Sequence, residues 1–170
     1  MKTKEFTLMS AQSKVVASKS KYIEWSGSAV GKTFAAFIKM LIVAQENPYS
    51  VSFYLANHMH VTNGTLYANL HLFDGLGKMS YHDMCFKFNN GSKIFFSTVD
   101  GFLDGCYRGM HPSVVIDNAR VEDEEKIWGV KSLVIPRLPK YAFMLVNRYS
   151  KENTITETTY VGETINPYIK

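Results

Sequence analysis

Hydrophobic and polar positions along the chain change their period several times, and each change marks an element. "YIEWSG" (22–27) alternates and then meets Ser26-Gly27, which predicts a short strand running into a turn. From Lys32 to about Gln45, "KTFAAFIKMLIVAQ" is apolar nearly all round, the pattern of a buried helix, and Asn47-Pro48 stops it. "YSVSFYLAN" (49–57) is rich in β-branched and aromatic residues and predicts a second strand. Across 58–77, Leu66, Leu70 and Phe73 recur at helical spacing, and Gly75 and Gly77 close the segment. "MCFKFNNGSKIFFSTV" (84–99) is the clearest hairpin: Phe86 and Phe88 alternate with polar neighbours, Asn90-Gly91 supplies the turn, and "KIFFSTV" returns. A glycine-rich loop, "GFLDGCYRGMHP" (101–112), leads into "SVVIDN" (113–118), an apolar strand ending in a carboxylate. An acidic helical segment follows, then "YAFMLVNRYS" (141–150) opens as another strand; the polar, β-prone tail (151–170) reads as an edge strand.

Strands separated by helices predict an α/β layered domain with a mainly parallel central sheet and the hairpin as an antiparallel insertion. The 170 residues, 46% hydrophobic and 20% charged, suit one globular domain with a substantial core. The longest apolar stretch, Phe34–Ala44, is broken by Lys39 and is too short to span a bilayer, and the N-terminal segment lacks the apolar centre of a signal peptide. The expectation is a cytoplasmic protein without membrane contact. Cys85 and Cys106 offer neither a disulfide framework nor metal-ligand spacing and read as buried thiols. The net charge of +4 is local: Lys2, Lys4, Lys14, Lys19 and Lys21 face Glu5 alone, and the rest of the chain balances. Residues 1–20 therefore read either as a basic arm suited to nucleic-acid phosphate or as a solvated leader, ahead of a domain over 21–170.

The chemistry gathers in "SGSAVGKTF". A strand, a turn of small residues and a helix opening on Lys-Thr is the setting a phosphate-binding loop needs. Ser26, Gly27, Ser28, Ala29, Val30 and Gly31 form the loop, with Ser26 where glycine is usual. Backbone N–H groups and the positive helix end would face the phosphates, Lys32 would reach their oxygens, and Thr33 would hold Mg²⁺. "VVID" (114–117) ends in Asp117, the carboxylate that such enzymes place beside the loop for Mg²⁺. The order strand–loop–helix, then strand–Asp, predicts an ATP·Mg²⁺ site.

The run "SGSAVGKT", "FKFNNGSKIFFSTVD", "YRGMHPSVVIDNA" resembles the ATPase domain of phage terminase large subunits, the DNA-packaging motors, over roughly residues 20–150. The resemblance implies a P-loop ATPase coupling turnover to translocation of double-stranded DNA in the host cytoplasm, assembled as a homo-oligomeric ring with portal and small-terminase partners. It matches Lys32 and Thr33 to the phosphate and Mg²⁺ residues and Asp117 to the metal-site carboxylate. Arg108, in the Arg-Gly pair, is either an arginine finger acting across a subunit boundary or a salt-bridge anchor of the Gly105–Gly109 loop.

Two departures follow. Asn118 stands where the family has a catalytic Glu, so this position holds a water without accepting its proton. Glu122 or Glu124 would be the substitutes, although "VEDEEK" reads first as acids favouring a helix N-terminus. The chain also leaves no room for the family's nuclease domain, and Asn147-Arg148-Tyr149-Ser150 matches the coupling motif loosely. A second class therefore stays open: a pseudo-ATPase that binds nucleotide or DNA as an assembly module. A helicase-like domain shares the core motifs but lacks a second lobe. His58 and His60 read as loop histidines without a third metal ligand, and Trp25 and Trp128 as packing residues.

Overall fold

A computed structural model describes residues 5–28 and 31–159; residues 1–4 with Lys2 and Lys4 of the basic arm, Ala29, Val30, the Cys106 side chain and residues 160–170 lie outside the described residues. In chain order the elements are α1 (Ser10–Ala17), β1 (Tyr22–Ser26), α2 (Lys32–Glu46), β2 (Val51–Ala56), α3 (Met59–Asn69), β3 (Gly77–Ser80), β4 (Cys85–Phe88), β5 (Lys93–Thr98), the single turn α4 (Val99–Gly101), β6 (Ser113–Ala119), α5 (Glu124–Val134), β7 (Met144–Arg148) and β8 (Thr154–Thr158). The strands form one eight-stranded sheet in the order β3-β4-β5-β2-β6-β7-β1-β8. From β5 to β1 all neighbours run parallel, while β3, β4 and β8 pair antiparallel at the two edges. This is the mainly parallel α/β domain that the pattern predicts. The hairpin widens the sheet, because β5 is itself the parallel partner of β2. Its turn needs glycine: Gly91 sits at φ +89°, and a Cβ there would meet the Tyr49 ring at 2.5 Å.

Strand alternation sorts side chains to two apolar layers. Tyr54 and Ala56, Val115, Leu145, and Ile23 and Trp25 face one layer with α1, α2 and α3. Phe53 and Leu55, Val114 and Ile116, Met144 and Val146 face the other, under α5 and the helical segment from Val99. Helix α2 is buried along most of its length, as its apolar pattern requires; Phe37 packs against Tyr54, Phe73 and Phe96 with ring centroids 5.2, 5.9 and 6.1 Å away. Each such aromatic pair adds about 1 kcal/mol beyond its buried area. Trp25 lies in this core, away from solvent. Cys85 is buried too, and burial pushes its thiol up to about 11.

Three segments differ from the sequence reading. Residues 10–17 of the basic leader fold into α1, which packs on α2 through Val15. Lys39, the charge interrupting the apolar run, is 4% exposed and donates to the carbonyls of Val15, Val16 and Ser18 at 3.0, 3.1 and 2.8 Å. It closes the C-terminal end of α1, whose carbonyls have no partner within the helix. Strand β3 is too short for a periodic signal, with Gly77 pressed against the backbone of β4. The glycine-rich loop begins as α4 followed by a π-turn over Phe102–Cys106, because Val99 and Phe102 bury in the second layer. Within the described part of the tail, Thr154–Thr158 forms edge strand β8, as expected.

Candidate functional site

The loop leaves β1 at the C-terminal edge of the sheet, where the Gly27 amide donates to the Arg148 carbonyl at 3.0 Å. Its last residue, Gly31, adopts φ +101° at the start of α2, and a Cβ there would run into the Gln12 amide. Gln12 itself is buried on α1. Its Nε2 donates to the Gly31 carbonyl at 3.0 Å, and its Oε1 accepts from the Met9 amide at 2.8 Å. Helix α1 thus braces the loop from behind. Lys32 and Thr33 open α2, and the Lys32 ammonium donates across the loop to the Gly27 carbonyl. Burial lowers the Lys32 pKa, against the opposing pull of the Asp117 carboxylate. Ser26 is half-buried at the strand end and Ser28 exposed; Ala29 and Val30 lie outside the described residues.

Asp117 is 1% exposed and stands at the centre of a hydrogen-bond network. Alternation places it, Tyr54 of β2 and Asn147 of β7 on the face covered by α2. Its Oδ2 accepts from Thr33 Oγ1 at 2.5 Å and from Tyr54 Oη at 2.7 Å. Its Oδ1 accepts from Asn147 Nδ2 at 3.2 Å and from the Asn118 amide at 3.1 Å. Burial, reinforced by the Asp117 charge, drives the Tyr54 phenol pKa upward, so it remains a donor. Asn147 Nδ2 also lies 3.4 Å from the Lys32 carbonyl, while its Oδ1 is buried without a partner among the described residues. The structure therefore brings Lys32, Thr33 and Asp117 together from elements 84 residues apart, and adds Tyr54 and Asn147, which the sequence reading did not assign to the site.

The Asn118 side chain, unlike its amide, stands apart from this network by a backbone device. Ile116 pairs with Val146 and Ala119 with Arg148, so β6 carries one extra residue there. Asn118 takes up the surplus at φ +55°, a left-handed conformation that asparagine tolerates better than most residues. Its side chain turns to solvent, and Ala119 fills the core position beneath α5 instead.

Glu124 is committed elsewhere: with Glu24 it holds the Arg148 guanidinium, through Nη2–Oε2 at 3.2 Å and Nε–Glu24 Oε1 at 2.6 Å. Glu122 is exposed and lies 3.7 Å from Arg120. Neither acid touches Asp117. Arg108 is exposed, its side chain folded over Gly105, and it forms no ion pair among the described residues, so the anchoring salt bridge is not made there.

Beyond Asn118 the ends of β2, β6 and β7 enclose a cleft of about 290 Å³, lined by Asn57, His58, Val61, Asn118, Arg120 and Tyr149. Asn57 Oδ1 is buried there without a hydrogen-bond partner among the described residues. His58 is exposed, its ring stacked on His60 at 5.5 Å.

With the edge of the sheet laid out, the fold has a match. It is the fold of a large-terminase ATPase domain. The ATPase domain of the Thermus phage P74-26 large terminase superposes with a TM-score of 0.54 at 14% identity, and so does an Arg-to-Ala mutant of it. The match covers 84% of this chain and 65% of that domain, so this chain spans just under two thirds of its length. No protein-family model and no curated protein sequence matches the chain.

Chemically, Thr33 and Asp117 are the pair able to share a divalent cation. A half-buried hydroxyl and a buried carboxylate 2.5 Å apart are hard oxygen ligands, and Asn147 Oδ1, without a partner among the described residues, suits a water bound to such an ion. Among the described residues no group of three His, Cys, Asp or Glu gathers to hold a metal by itself, and no helix is long and apolar enough to cross a membrane.

Proposed function

We propose that this chain is the ATP-binding and ATP-hydrolysing domain of a viral DNA-packaging large terminase, using the loop 26–33 and Asp117 to hold Mg·ATP. The observation that carries the reading is the 2.5 Å contact between Thr33 Oγ1 and Asp117 Oδ2, which joins a phosphate-loop helix to the acid at the end of a parallel strand two places away in the sheet. In this reading Lys32 neutralises phosphate oxygens, the amide of Gly31 and the start of α2 face the phosphates, and Asp117 with Thr33 retains the cation. Tyr54 and Asn147 hold the carboxylate in place. Mg²⁺, when bound, draws charge from the phosphate oxygens. Turnover drives double-stranded DNA in a ring of copies, with Arg108 reaching the neighbouring site and the portal and small terminase subunit as partners in the host cytoplasm. Arg108 is exposed and forms no ion pair among the described residues, which supports a role across a subunit boundary.

Calorimetry tests the core of this reading. Mg·ATP is expected to bind, and Lys32→Ala to weaken it at least tenfold; no binding, or no effect of the substitution, defeats the proposal. Asn118 favours a second reading, a pseudo-ATPase that binds nucleotide without turnover. Phosphate release by the native chain and by Asn118→Glu, with and without DNA, separates the two. Activity only in the Glu variant marks a binder, whereas native turnover marks a motor component.

A further inference from the structure

We infer that the water attacking ATP is held in the cleft between the ends of β2 and β6, and that His58 is its base, with Asn118 orienting it. The inference rests on the ATPase reading above and adds the residue that reading lacks. In-line displacement at a phosphoryl group puts the nucleophile opposite the leaving oxygen. The leaving group lies toward the loop that holds the phosphates, at the end of β1. The sheet order β1-β7-β6-β2 then sets the water on the other side of Asp117, toward the end of β2. That is where the cleft lies, and Asn57 and His58 are the residues that directly follow β2.

Three observations meet in this cleft. The bulge in β6 turns Asn118 outward into it, as an amide able to donate and accept but not to take a proton. Asn57 lines the cleft wall, with its Oδ1 buried and without a donor among the described residues. His58 lines the same wall, and imidazole is the side chain that accepts protons near neutrality. Glu124 is held by Arg148, and Glu122, 3.7 Å from Arg120, lines an adjoining pocket that shares Asn57, His58 and Arg120 with this cleft, whose own lining carries no acid. In the step, the water oxygen bonds to the γ-phosphorus while the bond from that phosphorus to the bridging oxygen breaks. ADP departs with the bond's electron pair. The water proton passes to the His58 imidazole, and from there to solvent, to which His58 is open.

The test separates this inference from the reading beneath it. Mg·ATP affinity by calorimetry, ATP turnover with and without double-stranded DNA, and affinity for Mg·ADP·aluminium fluoride are measured for the native chain, His58→Ala and His58→Gln. The expected result is a kcat lowered about 100-fold or more in both variants. Mg·ATP affinity should stay within twofold, and the transition-state mimic should bind at least tenfold more weakly. The double variant His58→Ala/Asn118→Glu should recover most of the rate, which a merely structural role of His58 would not allow. Loss of Mg·ATP binding by the native chain defeats the ATPase reading itself. If the native chain binds Mg·ATP but shows no turnover, or if both His58 variants turn over at the native rate, the water-binding cleft is wrong while nucleotide binding stands.

Discussion

Asp117 divides the C-terminal edge of the sheet into two regions of opposite character. On the loop side its carboxylate is 1% exposed and accepts from Thr33, Tyr54, Asn147 and its own neighbour's amide, while Gln12 braces Gly31 from α1. On the far side His58, Asn118 and Arg120 stand in solvent and Asn57 Oδ1 has no partner among the described residues. On the proposed reading, the groups that would grip a charged ligand are fixed in advance on one side, where low dielectric strengthens their attractions. Those that would handle water are left open on the other. The contrast predicts that substitutions on the two sides differ in what they damage: stability and affinity on one, rate on the other.

The sharpest way to break the comparison is Arg148→Ala. This guanidinium ties β7 to β1 and α5 beneath the loop, and its loss strands Glu24 and Glu124; an expected loss of about 3 kcal/mol should appear as a lower urea midpoint. A loss under about 0.5 kcal/mol would place this ion pair among ordinary surface pairs. Tyr54→Phe removes one donor from a buried carboxylate and should cost about 2 kcal/mol, with weaker Mg²⁺ dependence of nucleotide binding as a second readout.

Lys39 sharpens the picture through pH. Burial, aided by the Lys19 charge, holds its ammonium down at about 8, below the ordinary 10.5, so folding releases a proton between those values. Stability should therefore rise with pH across that window, by at most about 1.4 kcal/mol per unit, and Lys39→Met should flatten the slope in pH-dependent urea melts. The smallest effect belongs to the far side. Asn118→Gly suits the left-handed backbone and should move stability by no more than about 1 kcal/mol in thermal melts.

Much of this was readable before any coordinates. Local signals carry β1, α2, the Asn90-Gly91 turn and Asp117 at a strand end, because each depends on residues a few positions apart. Tyr54 and Asn147 escaped because their roles depend on register. Only when Tyr54 is known to pair with Val115, and Val146 with Ile116, does alternation bring the three polar side chains to one face. The same parity, read on the other face, would have paired Glu24 with Arg148. Lys39 read as a charge breaking an apolar run within α2 and is the cap of another helix, an effect of tertiary contact with α1. Asn118 was legible as an altered residue but not as a bulged one, since a single inserted residue leaves no periodic trace over so short a strand.

That bulge has an evolutionary corollary. A residue that belongs to neither layer is a replaceable cartridge: its side chain can be exchanged by changing one codon, with the sheet, both helical layers and the buried acid beside it left in place. A lineage carrying such a strand can vary what it presents at this edge of the sheet without ever passing through an unfolded ancestor.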